Sequence, residues 1–159
     1  MRNHLTYNLL MKVLILIGTG YFMGCKPVIP VDENPFVRFT GSIDYHSQTL
    51  NRPLRYSVYL PAGYNKENKS YPTVYLLHGF GDNETSWMSG GKIDRIIKEL
   101  EEKGEIEPMI YVMPQGYNSY YVNRFNGTLN YMDMFVEEFV PLIDSLYRTK
   151  KTPGQRAVV

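Results

Sequence analysis

Two continuous apolar runs, at residues 73–77 (T-V-Y-L-L) and 109–113 (M-I-Y-V-M), provide the clearest structural signal in this chain. Neither run alternates between apolar and polar positions, which is typical of a short strand buried on both faces of a sheet. Between them, apolar side chains recur at the spacing of one helical face, at Ile93, Ile96, Ile97 and Leu100. Gly104 can end this helix in a left-handed conformation. Strand, helix and strand in this order predict a parallel pair covered by the helix.

The segments on either side extend the same architecture. Residues 36–45 and 54–60 alternate between apolar and polar positions, which predicts two antiparallel strands. Residues 131–147 have a second helical pattern, and Pro141 within it should kink the helix or mark a join between two helical pieces. Residues 156–159 have the pattern of the start of another buried strand. The prediction is an α/β domain over residues 35–159, with a mostly parallel sheet and an antiparallel amino-terminal hairpin.

The amino-terminal residues have the pattern of a targeting segment. An apolar run at 13–23 has roughly the length of a secretory signal core, and it ends at Gly24-Cys25. Residues 1–25 resemble a bacterial lipoprotein signal, in which the thiol of Cys25 would be diacylated. The alternatives are ordinary signal cleavage and an uncleaved anchor. Residues 26–34 have the composition of a tether, so we expect an exported, membrane-anchored protein of the periplasm or cell surface.

Composition limits the classes of function. The 159 residues are 43% hydrophobic and 21% charged, with a net charge of +1, which is ordinary for one globular domain and gives no reason to expect a nucleic-acid partner. The single cysteine allows no internal disulfide. Neither a metal-ligand spacing nor a phosphate-loop pattern occurs, so no metal or cofactor is predicted. Fourteen tyrosines indicate either an aromatic cleft or a tyrosine-rich core.

The loop after the first apolar run, H-G-F-G at 78–81, is the expected place for chemistry. Gly79 and Gly81 allow the backbone to approach another group closely. A second loop, residues 114–127, follows the other apolar strand and is rich in tyrosine and asparagine. Ligands bind at the carboxyl ends of strands in open α/β sheets, so this second loop is also at a position where a ligand is expected.

Four motifs occur in order: V-Y-L-P-A-G-Y at 58–64, Y-L-L-H-G-F-G-D-N-E-T-S-W at 75–87, P-M-I-Y-V-M-P-Q-G at 108–116 and F-V-E-E-F-V-P-L-I-D at 135–144. Together they resemble the "putative esterase" family of α/β-hydrolases, which includes feruloyl and acetylxylan esterases, S-formylglutathione hydrolases and mycolyltransferases. The resemblance implies a serine carboxylic-ester hydrolase in which the Phe80 N–H forms part of the oxyanion hole. Gly79 and Gly81 would keep that amide open to substrate.

The chain departs from this family at the nucleophile. No G-x-S-x-G occurs, and at Ser89 (W-M-S-G-G) Trp87 stands in place of the first glycine. The family's serine, acid and histidine would all lie beyond residue 159. We therefore expect the amino-terminal half of an esterase, cut before the nucleophile elbow and inactive alone; the alternative is a degenerate product. A strand at 156–159 and those after it would cover the strand at 73–77, so the chain should expose a flat apolar edge and be poorly soluble.

Several residues around the loop are candidates for substrate contact. They are His78, Gly79, Gly81, Trp87, Tyr117 and Tyr120. His78 follows a buried strand, which favours a structural hydrogen-bonding role over that of a general base. Trp87 would either line the pocket or pack under the loop. The expected substrate is an acyl or feruloyl ester linked to polysaccharide. The alternatives are an acyltransferase of the same fold and a non-catalytic surface protein that binds carbohydrate.

Overall fold

The computed structural model describes residues 38–159, which form a mixed five-stranded sheet with helices on both faces. The signal segment, the tether and Cys25 lie outside the described residues. The strands are β1 (Ile43–Ser47), β2 (Arg52–Tyr59), β3 (Thr73–Tyr75), β4 (Ile110–Pro114) and β5 (Arg156–Val158). Their order across the sheet is β1-β2-β4-β3-β5. The sheet is antiparallel from β1 to β4, and the three strands β4, β3 and β5 are parallel to one another.

The amino-terminal hairpin forms, but its first strand begins later than predicted. The prediction placed this strand at 36–45, whereas β1 pairs with β2 from Ile43, opposite Tyr56. Before β1, Phe39 makes an isolated bridge to Tyr59, and Gly41 then has a φ of +70°. That left-handed residue interrupts the extended backbone, so the alternating pattern continues across a break in the strand.

The predicted strand, helix and strand unit is confirmed. Helix α1 (Ser86–Ser89) is a single turn, and α2 (Ile93–Glu102) is the amphipathic helix between β3 and β4. After α2, Gly104 has a φ of +69°; its N–H donates to Glu101 O, and the N–H of Glu105 donates to Leu100 O. These two bonds form a Schellman motif, which is why the helix ends at the predicted glycine.

The second predicted helix is one continuous helical stretch in three parts: α3 (Tyr131–Asp133), a π-helical segment (Met134–Phe139) and α4 (Val140–Leu146). The join expected at Pro141 is confirmed, because α4 begins at Val140 with the proline in its first turn. Proline has no N–H, and its ring clashes with the carbonyl one turn earlier in an α-helix. The wider π turns before Pro141 remove that conflict, with Val140 N–H bonded to Phe135 O five residues back.

The sheet has a hydrophobic core on each face, and β3 contributes to both. Tyr75 packs with Phe139 and Ile143 under the second helical stretch, whereas Val74 and Leu76 pack with Ile97 under α2. Many tyrosines belong to these cores, including Tyr56, Tyr71, Tyr75, Tyr131 and Tyr147. The tyrosine-rich core is therefore real, while Tyr120 in the loop after β4 is 75% exposed.

Strand β5 is one of the two edge strands of the sheet, the other being β1. Strand β3 lies between β4 and β5, so the strand that we expected at 156–159 does pair with it. Among residues 38–159 no strand pairs with the outer edge of β5, and the Val158 and Val159 side chains are exposed. Within the same range, none of the helices has the length and apolar character needed to cross a membrane.

Candidate active site

The loops that follow β3 and β4 meet at the carboxyl ends of these parallel strands. His78, in the first loop, is buried, and its Nε2 atom lies 2.8 Å from both Gln115 Oε1 and the Gly116 backbone nitrogen in the second loop. Its Nδ1 atom lies 2.7 Å from Gly79 O. Both ring nitrogens are thus engaged within the two loops. The geometry suits a residue that fixes loop positions rather than one that takes a proton from substrate.

A buried carboxylate, that of Glu84, lies beside Gln115 and is hydrogen-bonded to it. Glu84 is 2% exposed, and it accepts hydrogen bonds from Gln115 Nε2 at 3.3 Å and from Ser42 Oγ at 2.6 Å. Arg55 Nε lies 3.5 Å from the same carboxylate, so its charge is compensated. The sequence analysis missed these groups. The available signal was that Glu84 and Gln115 are polar residues that follow two adjacent buried strands.

Within residues 38–159, the Phe80 backbone N–H is an open donor of this loop, as are those of His78 and Gly79. Among the described residues it donates to no acceptor, whereas the next amide, Gly81 N–H, donates to Asn118 Oδ1 at 3.0 Å. Gly81 has a φ of +82°, a conformation that glycine adopts without strain. Asn118 thus fixes the peptide that follows Phe80 and leaves the Phe80 amide available, an arrangement that can stabilise developing negative charge.

The tyrosines of the second loop have different roles. Tyr120 stacks on the exposed Phe80 ring, with centroids 6.0 Å apart and an interplanar angle of 29°. Tyr121 donates from its hydroxyl to His78 O at 2.9 Å, and burial raises the pKa of Tyr121 to about 12, so the hydroxyl keeps its proton at neutral pH. Tyr117 bonds to Pro53 O and lies under the Arg52 guanidinium, which places its ring against the hairpin. All three have positive φ, and backbone strain of this kind clusters at functional sites.

A cavity of about 390 Å³ lies beside the first loop. His78, Gly79, Asp82 and Trp87 contribute to its lining, together with Ser86 and residues 89–91. The Trp87 ring both lines the cavity and donates from Nε1 to Leu77 O at 3.0 Å, so the two roles considered for it coexist. The structure therefore brings His78, Gly79 and Trp87 to one cavity, Phe80 and Tyr120 to an exposed stacked pair, and Tyr117 to neither.

The described serines do not form a catalytic pair with histidine. Within residues 38–159, no serine hydroxyl hydrogen-bonds to His46 or His78. Ser89 donates to Thr85 O inside the α1 turn, and Ser86 accepts from Asn83 N–H. Activation of a serine nucleophile needs an adjacent general base, which these contacts do not supply.

Residues 47–159 match the family model described as "Putative esterase". The chain belongs to this esterase family. The five-stranded sheet and its helices agree with that assignment, since two ferulic acid esterase structures superimpose on 74% of the chain. The fold therefore matches part of the α/β-hydrolase architecture of these esterases.

Named esterases are similar to this chain over most of its length. The chain is 30% identical, over 87% of its length, to an endo-1,4-beta-xylanase/feruloyl esterase of Xylanibacter ruminicola, of which it covers 22%. A ferulic acid esterase structure shares 28% identity with a TM-score of 0.68, and the chain covers 47% of it. The ferulic acid esterase of Anaeromyces mucronatus, solved with ferulic acid, shares 27% identity with a TM-score of 0.62 and 46% coverage. The chain thus spans less than half of each of these proteins.

Proposed function

We propose that this chain contributes the oxyanion-binding half of a serine carboxylic-ester hydrolase that acts on acyl or feruloyl esters linked to polysaccharide. Family membership supports the reaction class, and the printed names of the relatives support the substrate class. The reaction would be acyl transfer to a serine and then to water. The nucleophile, acid and base are not among residues 38–159 in a productive arrangement, so this chain alone is expected to be inactive.

The observation that carries the proposal is the unengaged Phe80 N–H in a loop that is bonded to the second loop on both sides of it. His78 Nε2 accepts from Gly116 N–H, and Gly81 N–H donates to Asn118 Oδ1. A donor held in advance of the reaction stabilises a tetrahedral oxyanion without reorganisation. Trp87, in the lining of the smaller cavity, would then provide an apolar wall for an aromatic acyl group.

The test compares two substitutions at one position. In a protein that joins this chain to a nucleophile-bearing segment, Phe80→Pro removes the N–H and should lower kcat by about 10²–10³-fold. Phe80→Ala keeps the N–H and serves as the matched control, with a loss confined to the exposed ring. Equal losses in both variants would contradict the assigned role of the amide.

A second assay uses the chain alone. With p-nitrophenyl acetate and methyl ferulate as substrates, the rate should equal the buffer background. Clear turnover that a serine-reactive phosphonate abolishes would overturn the proposal that the nucleophile is absent.

A non-catalytic carbohydrate-binding role is the second candidate, and one observation favours it. Phe80 and Tyr120 are 73% and 75% exposed, yet their rings stack on each other at the surface. Exposed aromatic rings are used to bind ligands with apolar faces. Retained polysaccharide binding in a nucleophile-bearing form that lacks esterase activity would favour this candidate over the hydrolase.

We also propose that the protein is exported and anchored through lipid on Cys25. The support is the sequence pattern of residues 1–25 alone. Incorporation of labelled lipid that is lost in Cys25→Ser would agree with this proposal. Unchanged membrane partition of that variant would contradict it.

A further inference from the structure

A second, larger cavity lies on the face of the sheet covered by α2. Its volume is about 990 Å³, at the upper end of the range for small-molecule sites. One side is apolar and aromatic, formed by Phe39, Tyr59 and Leu60, and the other side is the polar face of α2. Its floor is thus formed by the end of β2, away from the loops of the candidate active site.

The two cavities are separate. The smaller one is lined by His78 and Gly79, after the carboxyl end of β3, whereas the larger one is lined by Tyr59 at the end of β2 and by Pro108 before β4. The two linings share no residue. Helix α1 lies between them, with Trp87 lining the smaller cavity and Met88 the larger.

Glu101, in the lining of the larger cavity, has an unused acceptor. Its side chain is 8% exposed; Oε2 accepts from Arg38 at 2.6 Å, while Oε1 is buried and has no hydrogen-bond partner among the described residues. A buried acceptor without a partner is destabilising, so a donor brought into the cavity would be favourable. The terminal torsion of a glutamate is broad, which allows the carboxylate to turn Oε1 toward such a donor.

The charges around Glu101 select the kind of donor. Arg38 beside it disfavours an ammonium group, and the carboxylate itself disfavours an anion. Four basic and three acidic side chains line the cavity, and two of the acidic ones are already paired, Glu101 with Arg38 and Glu102 with Lys98. A neutral hydroxyl is the donor that fits this near-balanced environment.

We propose that this cavity binds a neutral oligosaccharide, at a site distinct from the esterase centre. A sugar ring has apolar C–H faces for the half-buried Phe39 and Leu60 side chains and hydroxyl donors for Glu101. The proposal goes beyond the proposed function and does not depend on it, because no residue of the Phe80 loop lines this cavity.

Calorimetric titration of the full chain with xylotetraose tests the site; this probe is chosen because relatives carry xylanase names. Wild type should bind it at one site. Ala62→Trp places an indole at an exposed position of the lining, and it should weaken binding at least about tenfold. Glu101→Gln should weaken binding about fivefold, because one acceptor oxygen becomes a donor amide. The matched control is Glu99→Gln on the same helix, which pairs with Lys103 outside the cavity and should bind as wild type does.

The alternative outcomes are distinct. Absence of binding to wild type at millimolar xylotetraose overturns the proposal. Binding that is the same in Ala62→Trp as in wild type also overturns the proposal. This variant keeps the test decisive if Glu101→Gln fails to fold. If Tyr120→Ala abolishes binding and Ala62→Trp retains it, the sugar binds at the stacked Phe80–Tyr120 pair of the esterase centre. That result also overturns the proposal. None of these results depends on ester hydrolysis, so failure here leaves the proposed function standing.

Discussion

The Nε2 atom of His78 lies 2.8 Å from the side-chain oxygen of Gln115, although the two residues follow different strands and are 37 positions apart. Gln115 also donates to Glu84, so its amide connects a buried imidazole to a buried carboxylate. Gln115→Ala should lower the free energy of unfolding by about 1–3 kcal/mol, because the buried Glu84 carboxylate loses a donor and the Tyr117 N–H loses its acceptor, Gln115 Oε1. Urea denaturation followed by tryptophan fluorescence measures the loss.

Gln48→Ala is the control for that substitution, since the Gln48 side chain is exposed in the hairpin turn. It should change the free energy of unfolding by less than about 0.5 kcal/mol. Similar values for the two variants would show that the connection between His78 and Glu84 contributes nothing to stability.

Gly116→Ala should also destabilise the fold. A Cβ atom at this buried position would overlap the ring of Tyr121. That ring has little freedom to move, because its hydroxyl bonds to His78 O and its edge packs on Tyr131. Overpacking of this kind costs about 1–3 kcal/mol, measurable as a lower thermal midpoint. Gly154→Ala is the control, since no atom lies within 4 Å of its added Cβ, and a comparable loss there would contradict the steric explanation.

Gly104→Ala tests the end of α2. With a φ of +69° the residue is in the left-handed region, but its added Cβ would meet no atom within 4 Å. The cost should therefore be conformational alone, about 1–2 kcal/mol in thermal or urea unfolding. An unchanged midpoint would mean that the helix ends elsewhere in solution.

Glu138 makes the stability of the hairpin depend on pH. Burial alone would raise its pKa, but hydrogen bonds from Thr49, Tyr45 and the Gln48 N–H lower the pKa to about 2. A lowered pKa means that the carboxylate stabilises the fold above about 4.5, the ordinary value, and that this contribution disappears as the pH falls toward 2. Glu138→Gln should lower the free energy of unfolding by about 1–2 kcal/mol at pH 7, a value already reduced for the partial exposure of Glu138. The loss, measured by urea denaturation, should be much smaller near pH 2.

Glu137→Gln is the matched control for Glu138, because Glu137 is exposed on the same helical turn. Its effect should be small at every pH. A difference between wild type and Glu138→Gln that stays constant from pH 7 to pH 2 would contradict the assignment.

Local patterns predicted most of the fold. The apolar runs at 73–77 and 109–113 and the glycine after α2 each determine their element through short-range sterics or burial, and each was found close to the predicted place. The start of β1 was wrong because alternation alone does not reveal the left-handed conformation of Gly41. The hydrogen bonds among His78, Gln115 and Glu84 were not predicted, since they depend on which strands become neighbours.

The contacts of the candidate active site could be predicted only in part, because they too depend on which segments become neighbours. The family resemblance implied an oxyanion-hole amide at Phe80, and that amide has no acceptor in the described part of the chain; its role stays a prediction. The resemblance did not predict that Tyr117 would pack on the hairpin while Tyr120 stacks on Phe80. Side-chain direction in a loop with three positive φ values is determined by those backbone angles, which composition does not encode.

The loops after β3 and β4 are bonded in both directions: the first receives bonds from Gly116 N–H and Tyr121, and it donates to Asn118. The two segments therefore cannot change length independently. A residue inserted between Gln115 and Tyr121 would move Asn118 or Tyr121 out of reach and release the peptide after Phe80, even with residues 78–81 unchanged. Engineering of substrate range in this region should accordingly exchange both loops together, as one cassette.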